Sequence, residues 1–172
     1  PQSKEDSDIF NRFVLNGYEL IQTWKGFVYH MTCRGSRFKD GAMRNPAGQV
    51  FMKGRESSEW LEQNLRSTRN FIRKWGHMVK HDEMMFPIIP HKYDIGFVVN
   101  NCNLNLLKEL EPWCSTLYVD CDYDEYVNEE QKDTAFDLSN RIKPYDNEKN
   151  NEILVSFDAT KLTADSFQVI IN

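Results

Sequence analysis

Three stretches of this chain carry residue types with chemistry to offer. Glu5, Asp6 and Asp8 place three carboxylates close together near the front, where an ionised acid can take up a proton. Between Arg34 and Arg55 stand Arg34, Arg37, Lys39, Arg44, Lys53 and Arg55 against Asp40 alone, in a stretch broken by glycines. Glycine lets backbone N–H groups approach a phosphate, and guanidinium groups fork onto its oxygens, so this loop suits a nucleoside diphosphate. A solvated basic loop, or a nucleic-acid patch, accounts for the same residues. Asp120-Cys121-Asp122 follows the apolar run Leu117-Tyr118-Val119, which sets hard oxygen ligands for a divalent cation at a strand's carboxyl end. A solvated acidic loop is the plainer reading there, and the run is no EF-hand, because Glu125 and Gln131 occupy the positions that require Gly and Glu. His77 and His81 stand at the i, i+4 spacing that chelates zinc on a helix, with Asp82, Glu83 and His91 close by. The acid that an H-E-x-x-H motif needs in second position is missing.

The elements that must hold these groups follow from periodicity. Ser3 and Asp6 have capping-box spacing, and that alone would explain Asp6. Ile9, Phe13 and Val14 fall on one helical face, and Gly17 suits a left-handed stop. Tyr18 to Trp24 and Gly26 to His30 are rich in β-branched and aromatic residues, as strands are. From Met31 to Ser58 the glycines, with Pro46, predict a loop. Residues 56–78 predict an amphipathic helix with Ser57 or Ser58 as cap, Glu59 and Glu62 near its positive end, and Arg66, Arg69, Arg73 and Lys74 in later turns. Its apolar stripe is Trp60, Leu61, Leu65, Thr68, Phe71, Ile72 and Trp75. Leu61, Leu65, Thr68, Ile72, Trp75 and Val79 lie near a heptad seam, so the helix over 57–79 offers a route to a homo-oligomer.

Pro87 and Pro90 deny helix and interrupt strand pairing, which places a boundary between modules at residues 1–84 and 85–172. The second module reads as strand (Tyr93 to Asn100), helix capped by Asn103 or Asn105, and strand (Ser115 to Asp120), the order of a parallel βαβ unit. An acidic stretch follows from Cys121 to Asn151, with one strand or turn near Phe136 to Ile142. Ile153 to Ala159 and Phe167 to Ile171 read as further strands. The expected class is α/β with a small, mainly parallel sheet in this module.

The 172 residues, 40% hydrophobic, suffice for a packed core. No run reaches the 18 or so apolar residues of a membrane span, and Cys33, Cys102, Cys114 and Cys121 lack C-x-x-C or regular disulfide spacing. Reduced thiols in a cytoplasmic setting, with no membrane partner, are expected. Lys and Arg outnumber Asp and Glu by 15 to 10 in residues 1–92, and the balance reverses to 6 against 16 in residues 93–172. The first half is therefore open to an anionic ligand and the second is not. Net acidity and the absence of a base-stacking motif count against nucleic acid.

Residues 3–38 carry a resemblance. Glu5-Asp6-x-Asp8-Ile9, Arg12, Gly17-Tyr18 and Val28-Tyr29-His30 resemble the acidic motif and following histidine of family 2 nucleotide-sugar glycosyltransferases of the GT-A fold. The resemblance implies an inverting sugar transfer from a nucleotide-sugar donor to an acceptor hydroxyl, with Asp6 as catalytic base. It implies that His30 holds a divalent cation, Mn or Mg, or the diphosphate, and that Arg34, Ser36 and Arg37 line the donor side. In that family an Asp-x-Asp precedes the Glu-Asp motif, whereas Asp120 and Asp122, the alternative cation ligands, follow it. The chain opens at Pro1 just before the motif, so it is expected to be the C-terminal portion of a GT-A-like domain plus the small α/β module, inactive without the nucleotide-binding half. The other function class these residues allow is a non-catalytic assembly module whose basic loop docks an anionic partner.

Overall fold

A computed structural model describes residues 3–21, 23–26, 36–37, 43–44 and 58–171. The chain forms two compact units, Pro1–Arg69 with Val79–Ile89, and Asn70–Met78 with Pro90–Asn172.

In the first unit, helix α1 spans Glu5–Leu15. Its C-terminus has the left-handed stop expected at Gly17, with φ +76°, in a Schellman arrangement. Gly17 N–H donates to Val14 O at 3.0 Å and Tyr18 N–H to Phe13 O at 3.0 Å, satisfying carbonyls that the helix leaves open. The N-terminus differs from expectation. Lys4, in the left-handed region, is the N-cap, and no side chain caps the helix, so the Ser3–Asp6 capping box does not form. The buried face differs as well: Ile9, Phe13 and Val14 are exposed while Asn11 is buried. The described residues between Tyr18 and Trp24 form no strand. Within the expected loop, β1 (Ser36–Arg37) and β2 (Met43–Arg44) pair antiparallel. Helix α2 spans Ser58–Trp75, its residues up to Arg69 belonging to the first unit and those from Asn70 to the second. Its Leu61 and Leu65 are exposed and its Phe71 and Ile72 buried, so the expected stripe is covered only toward the C-terminal end. Gly76, at φ +79°, ends it, donating its N–H to Ile72 O.

The second unit contains a four-stranded parallel sheet of β3 (Ile95–Asn100), β4 (Thr116–Val119), β5 (Ile142–Pro144) and β6 (Ile153–Asp158), in spatial order β5-β4-β3-β6. Strands that are apolar in nearly every position need cover on both faces, and β3 and β4 have it: Phe97, Val99, Leu117 and Val119 on one face, and Val98 and Tyr118 on the other, are almost inaccessible. Helix α3 (Leu104–Leu110) connects β3 to β4. Asn103 caps it, accepting the Leu106 N–H at 3.0 Å, and Leu107 and Leu110 point fully into the core.

Three further helices correct the expectation. The acidic stretch contains α4 (Asp124–Glu130), anchored by the buried Tyr126, followed by the short α5 (Leu138–Arg141). Residues 167–171 are not a strand but part of α6 (Ala164–Ile171). Thr163 and Ser166 cap it reciprocally, Ser166 Oγ accepting the Thr163 N–H at 2.8 Å and Thr163 Oγ1 the Ser166 N–H at 3.2 Å. Phe167 and Ile170, three positions apart, then pack on the core, a helical rather than an alternating pattern. No helix among the described residues is long and apolar enough to cross a membrane.

Candidate functional site

In the first unit the candidate base stands in the open. Asp6 lies in the first turn of α1 and is exposed, and among the described residues no hydrogen bond or ion pair occupies its carboxylate. Because Lys4 is the N-cap, Asp6 sits at the second helical position, where the partial positive charge of the helix N-terminus favours an anion. Its neighbours have other tasks. Asp8 forms the expected i, i+4 ion pair with Arg12 at 3.7 Å, a contact worth about 0.2–0.5 kcal/mol on a surface. Ser3 Oγ, the expected cap, is buried with no hydrogen-bond partner among the described residues. His30 and Arg34 lie outside the described residues. Ser36 and Arg37 are placed by backbone only, on β1, in register with Arg44 and Met43.

In the second unit the sheet reverses direction of growth between β3 and β6. β4 and β5 are added on one side of β3, and β6 on the other. The crevice at the carboxyl ends of such neighbouring strands is where open α/β sheets bind ligands. Asp158 ends β6 opposite Asn100 of β3, and Asp120 follows β4. Their carboxylates are already engaged. Asp120 accepts the N–H of Asn101 at 2.6 Å and that of Cys102 at 2.9 Å, which holds Asn101 in a left-handed turn at φ +54°. Burial would raise the Asp120 pKa, but these two N–H donors outweigh it and keep the carboxyl below its ordinary range. Asp158 Oδ1 accepts from Thr160 Oγ1 at 2.7 Å, from Thr160 N–H at 2.9 Å and from Asn101 Nδ2 at 3.1 Å, and the Thr160 contacts depress its pKa. Asp122 accepts the Asp124 N–H at 3.0 Å and so shapes the approach to α4.

The Asp120–Asp122 pair therefore orders loops. Among the described residues no group of three or more His, Cys, Asp or Glu side chains is placed to hold a metal ion. His77 is buried, with Nδ1 against Met78 O at 2.5 Å, and His81 faces its own neighbour, Asp82 O, at 3.1 Å.

Compared with family models, curated proteins and solved structures, the chain matches none.

The densest charge cluster among the described residues was not legible in the sequence. Arg73, expected among the basic residues that complement the dipole in the later turns of α2, is completely buried. Its guanidinium donates to Glu111 Oε2 at 2.6 Å, to Glu130 Oε1 at 2.9 Å and to Tyr126 Oη at 3.0 Å. Arg141 adds a second cation, 2.6 Å from Glu111 Oε1, and donates to the carbonyls of Glu111 and Cys114. Two arginines and two glutamates cancel in charge, and their donors meet acceptors, the condition under which buried ions are tolerated. Burial pushes the Tyr126 hydroxyl pKa up, and the charges of Glu111 and Glu130 add to it. With every group spoken for, the cluster is an internal brace rather than a reaction centre. The i, i+4 pair of Tyr126 and Glu130 on α4, facing a lone glutamate before Pro112, is the only hint the sequence offers.

Proposed function

We propose that this chain is a glycosyltransferase-like protein of the GT-A type, in which Asp6 supplies the base for inverting transfer from a nucleotide-sugar donor. The observation that carries the proposal is the Asp6 carboxylate itself. Exposed in the first turn of α1, it is not spent on capping, the ordinary reason for an acid at a helix start. In the reaction, the acceptor oxygen attacks the anomeric carbon as the bond to the diphosphate breaks, and an Asp6 oxygen takes the hydroxyl proton. General-base help of this kind contributes about 10²–10⁴ in rate. The departing diphosphate gains negative charge, and the cations near residue 34 are the groups suited to offset it. His30, Arg34, Ser36 and Arg37 are assigned to that side on the resemblance. The described residues offer no ready divalent-cation site, so no step is assigned to a metal here.

The test is calorimetric titration of the chain with UDP- and GDP-sugars in the presence of Mn²⁺. The expected result is saturable heat at or below millimolar donor, abolished in His30→Ala and Arg34→Ala and retained in Asp6→Asn, which removes the base but not the binding groups. Absence of heat at millimolar donor, or heat indifferent to His30 and Arg34, would refute the proposal and favour a module that docks an anionic partner.

A further inference from the structure

We infer that Cys102 and Cys121 form a reversible dithiol–disulfide pair, oxidised by peroxide, that fastens the loop after β3 to the end of β4. The two residues follow adjacent parallel strands, paired through Val99 and Val119. The Asp120 carboxylate, one residue before Cys121, accepts the N–H of Cys102 at 2.9 Å, which ties the two backbones together at this point. Their side chains pack on the same core cluster, and both sulfurs are free. Two thiols held this close react as an intramolecular pair, with the high effective concentration that fixed geometry supplies.

Exposure assigns the roles. Cys121 is half-buried and Cys102 is nearly inaccessible, so peroxide reaches Cys121 first. The Cys121 sulfur attacks one peroxide oxygen, the O–O bond breaks, and hydroxide leaves and is protonated to water, giving a sulfenic acid. The Cys102 sulfur then attacks the Cys121 sulfur, the S–O bond breaks, and a second water departs. Two thiols lose two electrons in all, and one peroxide becomes two waters. Burial pushes the Cys102 thiol up to about 12, and burial raises Cys121 as well. Both are protonated at neutral pH, so oxidation is slow there and accelerates as the pH rises.

The experiment exposes the intact chain to millimolar hydrogen peroxide, alkylates the remaining thiols, and maps peptides with fragmentation that separates Cys114 from Cys121. The expected product is a Cys102–Cys121 bridge that dithiothreitol reverses, forming about tenfold faster per pH unit between pH 7 and 9. In Cys102→Ser the bridge is lost, and dimedone traps Cys121 as its sulfenic acid. If Cys102 and Cys121 both remain alkylatable once Cys33 is fully oxidised, or if either is recovered bridged to Cys33 instead, the inference is wrong. The mapping on the unmodified chain decides this whether or not the variant folds.

Discussion

Helix α1 and strand β3 are both rich in large apolar side chains, and the chain treats them in opposite ways. Phe97 and Val99 of β3 are at most 1% exposed, whereas Phe10 and Leu15 of α1 are 47% and 61% exposed. Apolar content alone therefore does not decide burial; a covering layer does. In the second unit that layer comes from the helices of the same unit: α3, α4 and α6 place Leu107, Leu110, Tyr126, Phe167 and Ile170 on the same core. Polar satisfaction goes with it, through the Arg73–Glu111–Glu130 brace. The carboxylate proposed for chemistry belongs to the openly displayed helix, and the carboxylates of Asp120, Asp122 and Asp158 already accept hydrogen bonds from neighbouring residues.

The contrast can be broken most forcefully at the brace. Arg73→Leu leaves Glu111 and Glu130 buried without their shared partner and should cost about 3–5 kcal/mol, read as a fall in the urea midpoint; a loss below about 1 kcal/mol would mean that the cluster is hydrated. A smaller effect is expected at Gly96. A Cβ there would stand 2.4 Å from Asn151 Oδ1 and 2.8 Å from Leu154 Cδ2. Asn151 cannot swing aside freely, because it accepts from Tyr118 Oη at 3.0 Å and donates to Asp94 Oδ1 at 2.7 Å. Gly96→Ala should therefore cost about 1–3 kcal/mol by overpacking, measured by the same denaturation. At the other extreme, Leu15→Ser on α1 should change stability by no more than about 0.5 kcal/mol. A larger loss would show that this face is covered in solution.

Much of the second unit was legible. The unbroken apolar run at β3, the Asn103 cap and the strand ahead of Asp120 follow from local pattern, and local pattern is what fixes them. The misreadings arose where tertiary partners or unusual caps decide. Phe167 to Ile171 is β-branched enough for a strand, but the Thr163–Ser166 cap and the i, i+3 placement of Phe167 and Ile170 make it a helix. Acidic composition hid α4, whose only apolar anchors are Tyr126 and Val127. Arg73 looks like any charge in a last turn, and only Glu111, Tyr126 and Glu130, brought together by the fold, make it a core residue. For the candidate site, the helix that carries Asp6 was readable, though its cap was not. The part of the site after residue 26 rests on the sequence pattern.

The two acidic candidates, Asp6 of α1 and Asp120 at the sheet edge, can be told apart by one spectrum. Adding Mn²⁺ and a UDP-sugar to the ¹⁵N-labelled chain broadens amide signals near the bound paramagnetic ion. If α1 carries the chemistry, the signals of residues 5–8 and of His30 fade while those of residues 117–122 and 158 persist. Fading confined to residues 100–102, 120–122 and 158, with α1 untouched, would contradict the assignment of Asp6 and move the site to the parallel sheet.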